Sequence, residues 1–197
     1  FTTATATYNT AVGQSAGYAV TTGTRNTLVG ALAGLSLTTG GSNVALGYEA
    51  LKTEDAHGLN TAIGTQALFS LNAGADAYNV AVGYQAGAGV STGVQNTLIG
   101  GLAGDALTVG NKNIAIGYRT LSDDTKGNKN VAVGNFALST QNFTTATDSF
   151  NVGVGHGAGE QITTGTNNTL IGSLAGDAIT DADGNIAVGS LALSANT

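Results

Sequence analysis

The chain has 197 residues and a formal net charge of −6, and its six Lys and Arg residues form no basic surface for a nucleic-acid backbone. The absence of Cys excludes disulfides, thiol catalysis and Cys-based metal sites, and no apolar run reaches the roughly 18 residues of a membrane span. With 42% apolar and 9% charged residues the chain does not have the composition of a disordered protein, and its 31 Gly come without the Pro of collagen. We therefore expect no nucleic-acid partner and no membrane insertion by this segment.

A short phrase, first written as NTAVGQSAG from Asn9, occurs eleven times. Its first residue is Asn, its fourth is Val, Ile or Leu, and its fifth is Gly in every copy; its eighth is Ala except for Thr120. Eight of the ten intervals between copies are 17 residues, and the others are 19 and 21. A unit this short suits one coil of a β-solenoid rather than a helical hairpin or a propeller blade. The phrases begin at Asn9, Asn26, Asn43, Asn60, Asn79, Asn96, Asn113, Asn130, Asn151, Asn168 and Asn185.

Each unit, counted from its phrase Asn as position one, begins with a predicted strand. Position two is β-branched and position four is aliphatic in every copy, which favours a strand, and the Gly at position five predicts a corner. A weaker second strand is predicted around position twelve, which is aliphatic in seven of ten complete units. A second turn follows, with Gly at position fifteen in units such as those of Gly23 and Gly40. Two strands and two turns predict a flattened coil.

A longer period of four units starts near residues 9, 79 and 151. Units two, six and ten share the forms NTLVGALAG, NTLIGGLAG and NTLIGSLAG, and both long intervals fall just before a new set of four. Extra residues confined to that point predict loops that bulge on one face while the strands stay in register. The stretch FTTATATYN at Phe1 recurs as FTTATDSFN at Phe143. We therefore interpret residues 1–197 as a single β-solenoid segment of a longer repetitive protein.

The predicted strand is apolar on both faces, because no charged residue occurs in the first five residues of any phrase. Positions two and four point to one face, and positions one, three and five to the other. A strand that is apolar on both faces is buried on both, so one face should pack inside the coil and the other against an identical rod. We expect Val12, Val29, Leu46 and Ile63 to be buried in one of these two ways. The stacked Asn residues should form a ladder of side-chain amide hydrogen bonds.

The unit N-x-A-[VIL]-G-x-x-A resembles the head repeat of trimeric autotransporter adhesins. It is equally similar to arrays in many phage tail-fibre proteins that end in a self-cleaving chaperone domain. The resemblance covers nearly the whole chain and implies an all-β, left-handed parallel β-roll of eleven coils, with three chains side by side and the phrase strands lining the threefold axis. It also implies an extracellular structural role, on a virion or a bacterial surface. The unit of 17 residues is longer than the adhesin coil, so different corner loops are expected.

The two long units are the candidates for receptor contacts, because identical ladders cannot encode a distinct site. Their sequences, LNAGADAY from Leu71 and TQNFTTATDSF from Thr140, carry aromatic residues suited to stacking on the sugar rings of a cell-surface glycan or receptor. These candidates are Tyr78, Phe143 and Phe150. The alternative is that the loops only cover the rod at every fourth coil. We expect no catalytic residues and no cofactor.

The remaining polar motifs favour structural interpretations. His57 and His156 occupy non-equivalent unit positions and are interpreted as unrelated surface residues rather than a metal or catalytic pair. The stretch DADGN at Asp181–Asn185 resembles part of a calcium loop but lacks its remaining ligands, so it is interpreted as a turn.

A second class of function is ice binding by Thr ladders on a solenoid face. Thr recurs at position thirteen in six units, as at Thr21 and Thr38. The array is interrupted by other residues, which are Asp55, Asn72, Ser91 and Asn142.

Overall fold

The computed structural model describes residues 7–194, and within this range the chain is a parallel β-solenoid without a helix. Residues 1–6, which hold most of the stretch that recurs at Phe143, lie outside the described residues. The strands are β1 (Thr10–Val12), β2 (Thr27–Val29), β3 (Val44–Leu46), β4 (Thr61–Ile63), β5 (Val80–Val82), β6 (Thr97–Ile99), β7 (Ile114–Ile116), β8 (Gly127–Asn128), β9 (Val131–Val133), β10 (Thr147–Asp148), β11 (Val152–Val154), β12 (Thr169–Ile171) and β13 (Ile186–Val188).

One parallel sheet of eleven strands contains a strand from every phrase, and β8 pairs separately with β10. Each phrase strand pairs with the next at equivalent positions, as in Thr10 with Thr27. The same register continues across both long units, where Thr61 pairs with Val80 and Val131 with Val152. The extra residues therefore bulge out without disturbing the sheet, as the sequence predicts. At about 4.8 Å per coil, the sheet is roughly 50 Å long.

The predicted second strand is wrong, because turns replace it in each coil. In the first coil the N–H of Ala16 donates to the carbonyl of Gly13 at 3.3 Å, and the N–H of Val20 donates to the carbonyl of Gly17 at 3.0 Å. Unit positions seven and nine both have positive φ, as at Ser15 (55°) and Gly17 (61°), and such a backbone cannot extend as a strand. Position twelve nevertheless points inward, since Leu37 in the second coil is fully buried.

The four-unit period has a physical basis in the thin interior, because seven coils bury one large Leu at either of two positions, whereas units one, five and nine have only Ala or Gly at both. In units two, six and ten it is at position three (Leu28, Leu98 and Leu170), and position nine is then Gly. In units three, four, seven and eight it is at position nine (Leu51, Leu68, Leu121 and Leu138), and position three is then Ala. The two choices exclude each other, because a Cβ at Gly104 would lie 2.9 Å from a terminal methyl of Leu98.

The buried Asn ladder is confirmed, although most of its rungs use a backbone donor. The side-chain oxygen of Asn9 accepts the backbone N–H of Asn26 at 2.8 Å. The side-chain N–H₂ of Asn26 in turn donates to the carbonyl of Gly40 at 2.9 Å, at the second turn of the same coil. Direct side-chain to side-chain bonds also occur, as from Asn185 to Asn168 at 2.9 Å. The ladder therefore joins neighbouring coils, and in every complete coil except the two long ones it also closes the coil.

The corner Gly at position five is required by close approach of successive coils. Gly64 has a φ of 131°, and a Cβ there would lie 2.3 Å from the carbonyl oxygen of Gly83 in the next coil. No side chain fits at that distance. The corner is therefore Gly in every copy of the phrase.

Candidate functional site

The outer surface of the phrase strands is an uncharged, mainly apolar face, formed by Val, Ile or Leu at position four and by Val, Ile or Thr at position two of every unit. Position three points into the coil, where Ala45 and Leu98 are fully buried. Positions two and four point outward, and the exposed fraction is 58% for Val12, 44% for Leu46 and 36% for Ile116. The structure thus excludes burial of these residues inside the coil, and their burial against an identical rod stays a prediction. The larger exposed side chains of this apolar face are Val12, Leu46, Ile99, Ile114, Ile116, Ile171, Ile186 and Val188.

Aromatic side chains at the Gly corner extend the apolar face along one edge. Tyr48, Tyr84 and Tyr118 follow the corner Gly in alternate coils and are exposed. The ring of Tyr118 meets that of Phe136 edge-on, with 5.7 Å between centroids, and Phe136 meets His156 at 5.9 Å. His156 therefore belongs to an aromatic stack at this corner.

The opposite edge of the strands carries the two long loops and the three predicted receptor contacts. Tyr78 and Phe150 are exposed, with exposed fractions of 55% and 48%. Phe143 has an exposed fraction of only 6%, so the expectation that it is available for stacking is wrong. Its backbone N–H points at the buried carboxylate of Asp124, at 3.4 Å, which draws this part of the loop inward.

A groove of 510 Å³ lies between the two long loops. Asp76 and Tyr78 line it from the first loop, and Asp148 lines it from the second. Its floor crosses the three intervening coils and is formed by Val94, Gln95, Asn111, Lys112, Asn128 and Lys129. Tyr78 and Asp148, which is two residues before Phe150, are thus brought to one site, although their loops are four coils apart.

The charges of the groove are balanced and only partly paired. The ammonium of Lys129 binds the carboxylate of Asp148, and this hydrogen bond holds the pKa of Asp148 below its ordinary value. The same ammonium lies 4.9 Å from the ring centroid of Phe150, a cation–π distance. Lys112 makes no salt bridge within residues 7–194.

Three buried polar side chains support the loops, and sequence reasoning missed them. Glu54, Asp124 and Gln141 occupy position twelve, which is aliphatic in the other complete units, and all three are fully buried. The carboxylate of Glu54 accepts the backbone N–H groups of His57 and, in the first long loop, Ala73, both at 3.1 Å. The sequence signal was present, because acidic residues replace the aliphatic one only in the unit before each long unit.

Asp124 supports the second long loop through a larger network. Its carboxylate accepts hydrogen bonds from the N–H of Gly127 at 2.9 Å and from the side-chain amide of Gln141 at 2.6 Å. The side-chain amide oxygen of Gln141 accepts from the side-chain N–H₂ of Asn151 at 2.8 Å, which joins the network to the Asn ladder. Burial of the carboxylate raises the pKa of Asp124, an effect that its hydrogen bonds only partly oppose.

The other polar motifs, which contain His57, His156 and Asp183, lie in different parts of the fold. His57 lies beside Glu54 and Asp55, and the ligand atoms of these three side chains are within 4.8 Å of one another. Its Nδ1 is 3.6 Å from the Glu54 carboxylate. This cluster is remote in sequence from His156, which lies in the aromatic stack. Asp183 of the DADGN stretch accepts the backbone N–H of Thr166 at 2.6 Å, as expected for a turn that is fastened to the preceding coil.

The Thr residues at position thirteen form an inter-coil ladder of their own. The hydroxyl of Thr21 donates to the carbonyl of Thr38 at 3.2 Å, and that of Thr38 donates to the carbonyl of Asp55 at 2.9 Å. Thr108 and Thr163 make the corresponding bonds. The hydroxyl protons are therefore used within the protein and join its coils.

The fold defines the chain as a β-solenoid repeat protein. No protein-family model matches the sequence, and comparisons with curated proteins and with solved structures found no match either. Among the described residues, no helix has the length and apolar character needed to cross a membrane.

Proposed function

We propose that the chain is a rigid shaft or head segment of an extracellular trimeric fibre, either a phage tail fibre or a bacterial surface adhesin. The observation that carries this proposal is the apolar face, whose side chains are exposed or half-buried in every strand of the sheet. A fibre segment of this kind has a mechanical role. It holds or forms a receptor-binding surface at a distance from the virion or the cell.

The size of the apolar face supports burial against another chain. The sheet is about 50 Å long and each three-residue strand covers about 10 Å, so the face measures about 500 Å². The largest apolar patch on a typical monomer has about this size and is often functional. The Tyr residues at the Gly corner add apolar surface along the same edge, as at Tyr84 and Tyr118.

The regular geometry of the face favours identical partners. Its residues repeat at every coil, so a second copy in the same register presents matching rows of side chains along the full length. Three copies around an axis parallel to the rod cover all three faces and leave none exposed. The number three follows from the resemblance to adhesin and tail-fibre repeats, in which the phrase strands line such an axis.

Ice binding is the alternative, and the Thr ladder disfavours it. A surface that orders water needs free hydroxyls in a regular flat array. Here the hydroxyls of Thr21, Thr38, Thr108 and Thr163 donate to backbone carbonyls of the next coil.

A pair of charge substitutions tests the proposal. Ile99→Glu places a carboxylate on the apolar face, whereas Thr92→Glu places one on the exposed turn of the preceding coil. We expect the first to dissociate the assembly in sedimentation velocity and the second to leave it intact, with both variants keeping the β circular-dichroism spectrum. Equal sedimentation of the two variants would show that the face is not an interface.

A further inference from the structure

We propose that the groove between the two long loops binds an oligosaccharide that is neutral or carries a single carboxylate. The coil spacing sets the length of the groove, which corresponds to about four sugars. The inference deepens the proposed function, on which it rests, by naming the site and the ligand class of a fibre that attaches to glycans. It rests on the shape of the groove, its uncommitted polar groups, its charge balance and its rigidity.

The shape of the groove suits a short, extended chain. Its volume of 510 Å³ is within the range of ligand-binding clefts. Asp76 and Asp148 mark its two ends, and the intervening steps of about 4.8 Å place these ends about 19 Å apart, a span of roughly four sugar units. The regular coils beneath it make the floor straight, so the ligand can run parallel to the solenoid axis.

The floor offers polar groups that the protein itself does not use. The side chains of Gln95, Lys112 and Tyr78 all line the groove. None of them makes a hydrogen bond to another described residue. An amide, an ammonium and a phenol together supply the donors and acceptors that sugar hydroxyls require.

The charge balance of the groove excludes a strongly anionic ligand. Two lysines, Lys112 and Lys129, are matched by two aspartates, Asp76 and Asp148. Lys129 is already paired with Asp148, whereas Lys112, whose charge also acts on Asp148, makes no salt bridge within the described chain. One uronate or similar acidic sugar can therefore be accommodated at Lys112, whereas a highly charged polyanion would meet two carboxylates.

The rigidity of the groove lowers the entropic cost of binding. In its floor, the side-chain oxygens of Asn111 and Asn128 accept backbone N–H groups of the preceding coil at 2.8 Å. Behind the loops, Glu54 and Asp124 hold the backbone from inside the solenoid. Tyr78 is exposed at one end, where its ring provides a flat apolar surface for a sugar.

The test is an array of defined oligosaccharides of two to six sugars, neutral and uronate-containing, followed by titration of the tightest binder against the full chain. We expect Tyr78→Ala to weaken binding about tenfold, and Gln95→Ala and Lys112→Ala to weaken it about threefold to tenfold. The matched controls are Tyr8→Ala and Arg25→Ala, which alter the equivalent positions of the first four-unit set and lie outside the groove. These controls should bind as the unmodified chain does.

Light scattering on every variant separates this inference from the proposed function. A trimer that binds no array member, or whose binding is insensitive to all three groove substitutions, would overturn the groove proposal alone. Dissociation of the trimer by the groove variants would show that the groove receives a second copy of the chain instead of a glycan. If the unmodified chain is a monomer that binds a glycan and the groove substitutions abolish that binding, the glycan-site proposal stands and the trimeric-fibre proposal is overturned.

Discussion

The side-chain amide of Gln141 donates a hydrogen bond of 2.6 Å to the carboxylate of Asp124 in the preceding coil, and both residues are fully buried. Position twelve is aliphatic in seven of the ten complete units, so this pair, like Glu54, is a departure from the repeat. It lies directly beneath the second long loop, whose backbone it helps to hold at Phe143. The irregular loop on the outside is therefore matched by an irregular polar network on the inside.

The raised pKa of Asp124 predicts how the stability contributed by this residue depends on pH. The folded chain retains the Asp124 proton to a higher pH than the unfolded chain does. The contribution is therefore fully present below the ordinary Asp range, and it is lost as pH rises through the folded-state pKa. As pH rises through this interval, we expect the unfolding free energy of the unmodified chain to fall relative to that of Asp124→Asn. Above the folded-state pKa the difference between the two should level off.

Urea denaturation of both proteins between pH 3 and pH 7 measures this difference. Comparing the two proteins cancels the opposite dependence of exposed carboxylates such as Asp148 and Asp183, whose pKa values are lowered by hydrogen bonds. A difference that stays constant, or that shifts in favour of the unmodified chain with rising pH, would contradict the prediction.

The side chain of Leu98 fills the space that a side chain at position 104 would need, so we expect substitutions at these two positions to compensate each other. Leu98→Ala should destabilise the chain by about 3 kcal/mol through the cavity it leaves. Gly104→Leu alone should also destabilise it, by about 2 kcal/mol, because the new side chain meets Leu98. Together they convert the sixth coil to the pattern of the fourth, where Leu68 has a positive φ and position twelve is also Leu, so the pair should cost clearly less than the sum.

A double-mutant cycle by urea denaturation gives the interaction energy. The control replaces Gly101 by Ala, where a Cβ would meet only ordinary contact with Tyr118 at 3.5 Å. Additive costs for Leu98→Ala and Gly104→Leu would show that the two positions do not share one interior space.

Position twelve is aliphatic in most coils, but we expect an aliphatic residue in place of Glu54 to destabilise the chain. Glu54→Leu removes the acceptor of the His57 and Ala73 N–H groups, and buried donors without partners cost about 1–3 kcal/mol each. We expect a loss of about 2 kcal/mol or more on that basis, with faster hydrogen exchange at Ala73. Glu54→Gln keeps one acceptor oxygen and should recover part of the stability. Equal stability of the Leu variant and the unmodified chain would remove the proposed support of the first loop.

The sequence was sufficient for the features that depend on strand periodicity. The phrase strand, its two faces, the Asn ladder and the unbroken register across Thr61 and Val80 all follow from residues that repeat at fixed positions. The turns that replace the second strand could not be predicted, because residues with side chains, such as Leu51 and Gln66, adopt the positive φ that sequence reasoning assigns to Gly. The inward position of Phe143 depends on the carboxylate of Asp124, 19 residues earlier in the sequence, and no local pattern connects the two.

The mass of the unmodified chain in solution tests the central claim most directly. In the proposed trimer the apolar face is covered by partner chains along its whole length, and the mass of one chain is 19.3 kDa. Multi-angle light scattering after size exclusion should give three times that mass, and the value should not fall on dilution into the low micromolar range. A stable monomer that remains soluble with the apolar face exposed would contradict the account.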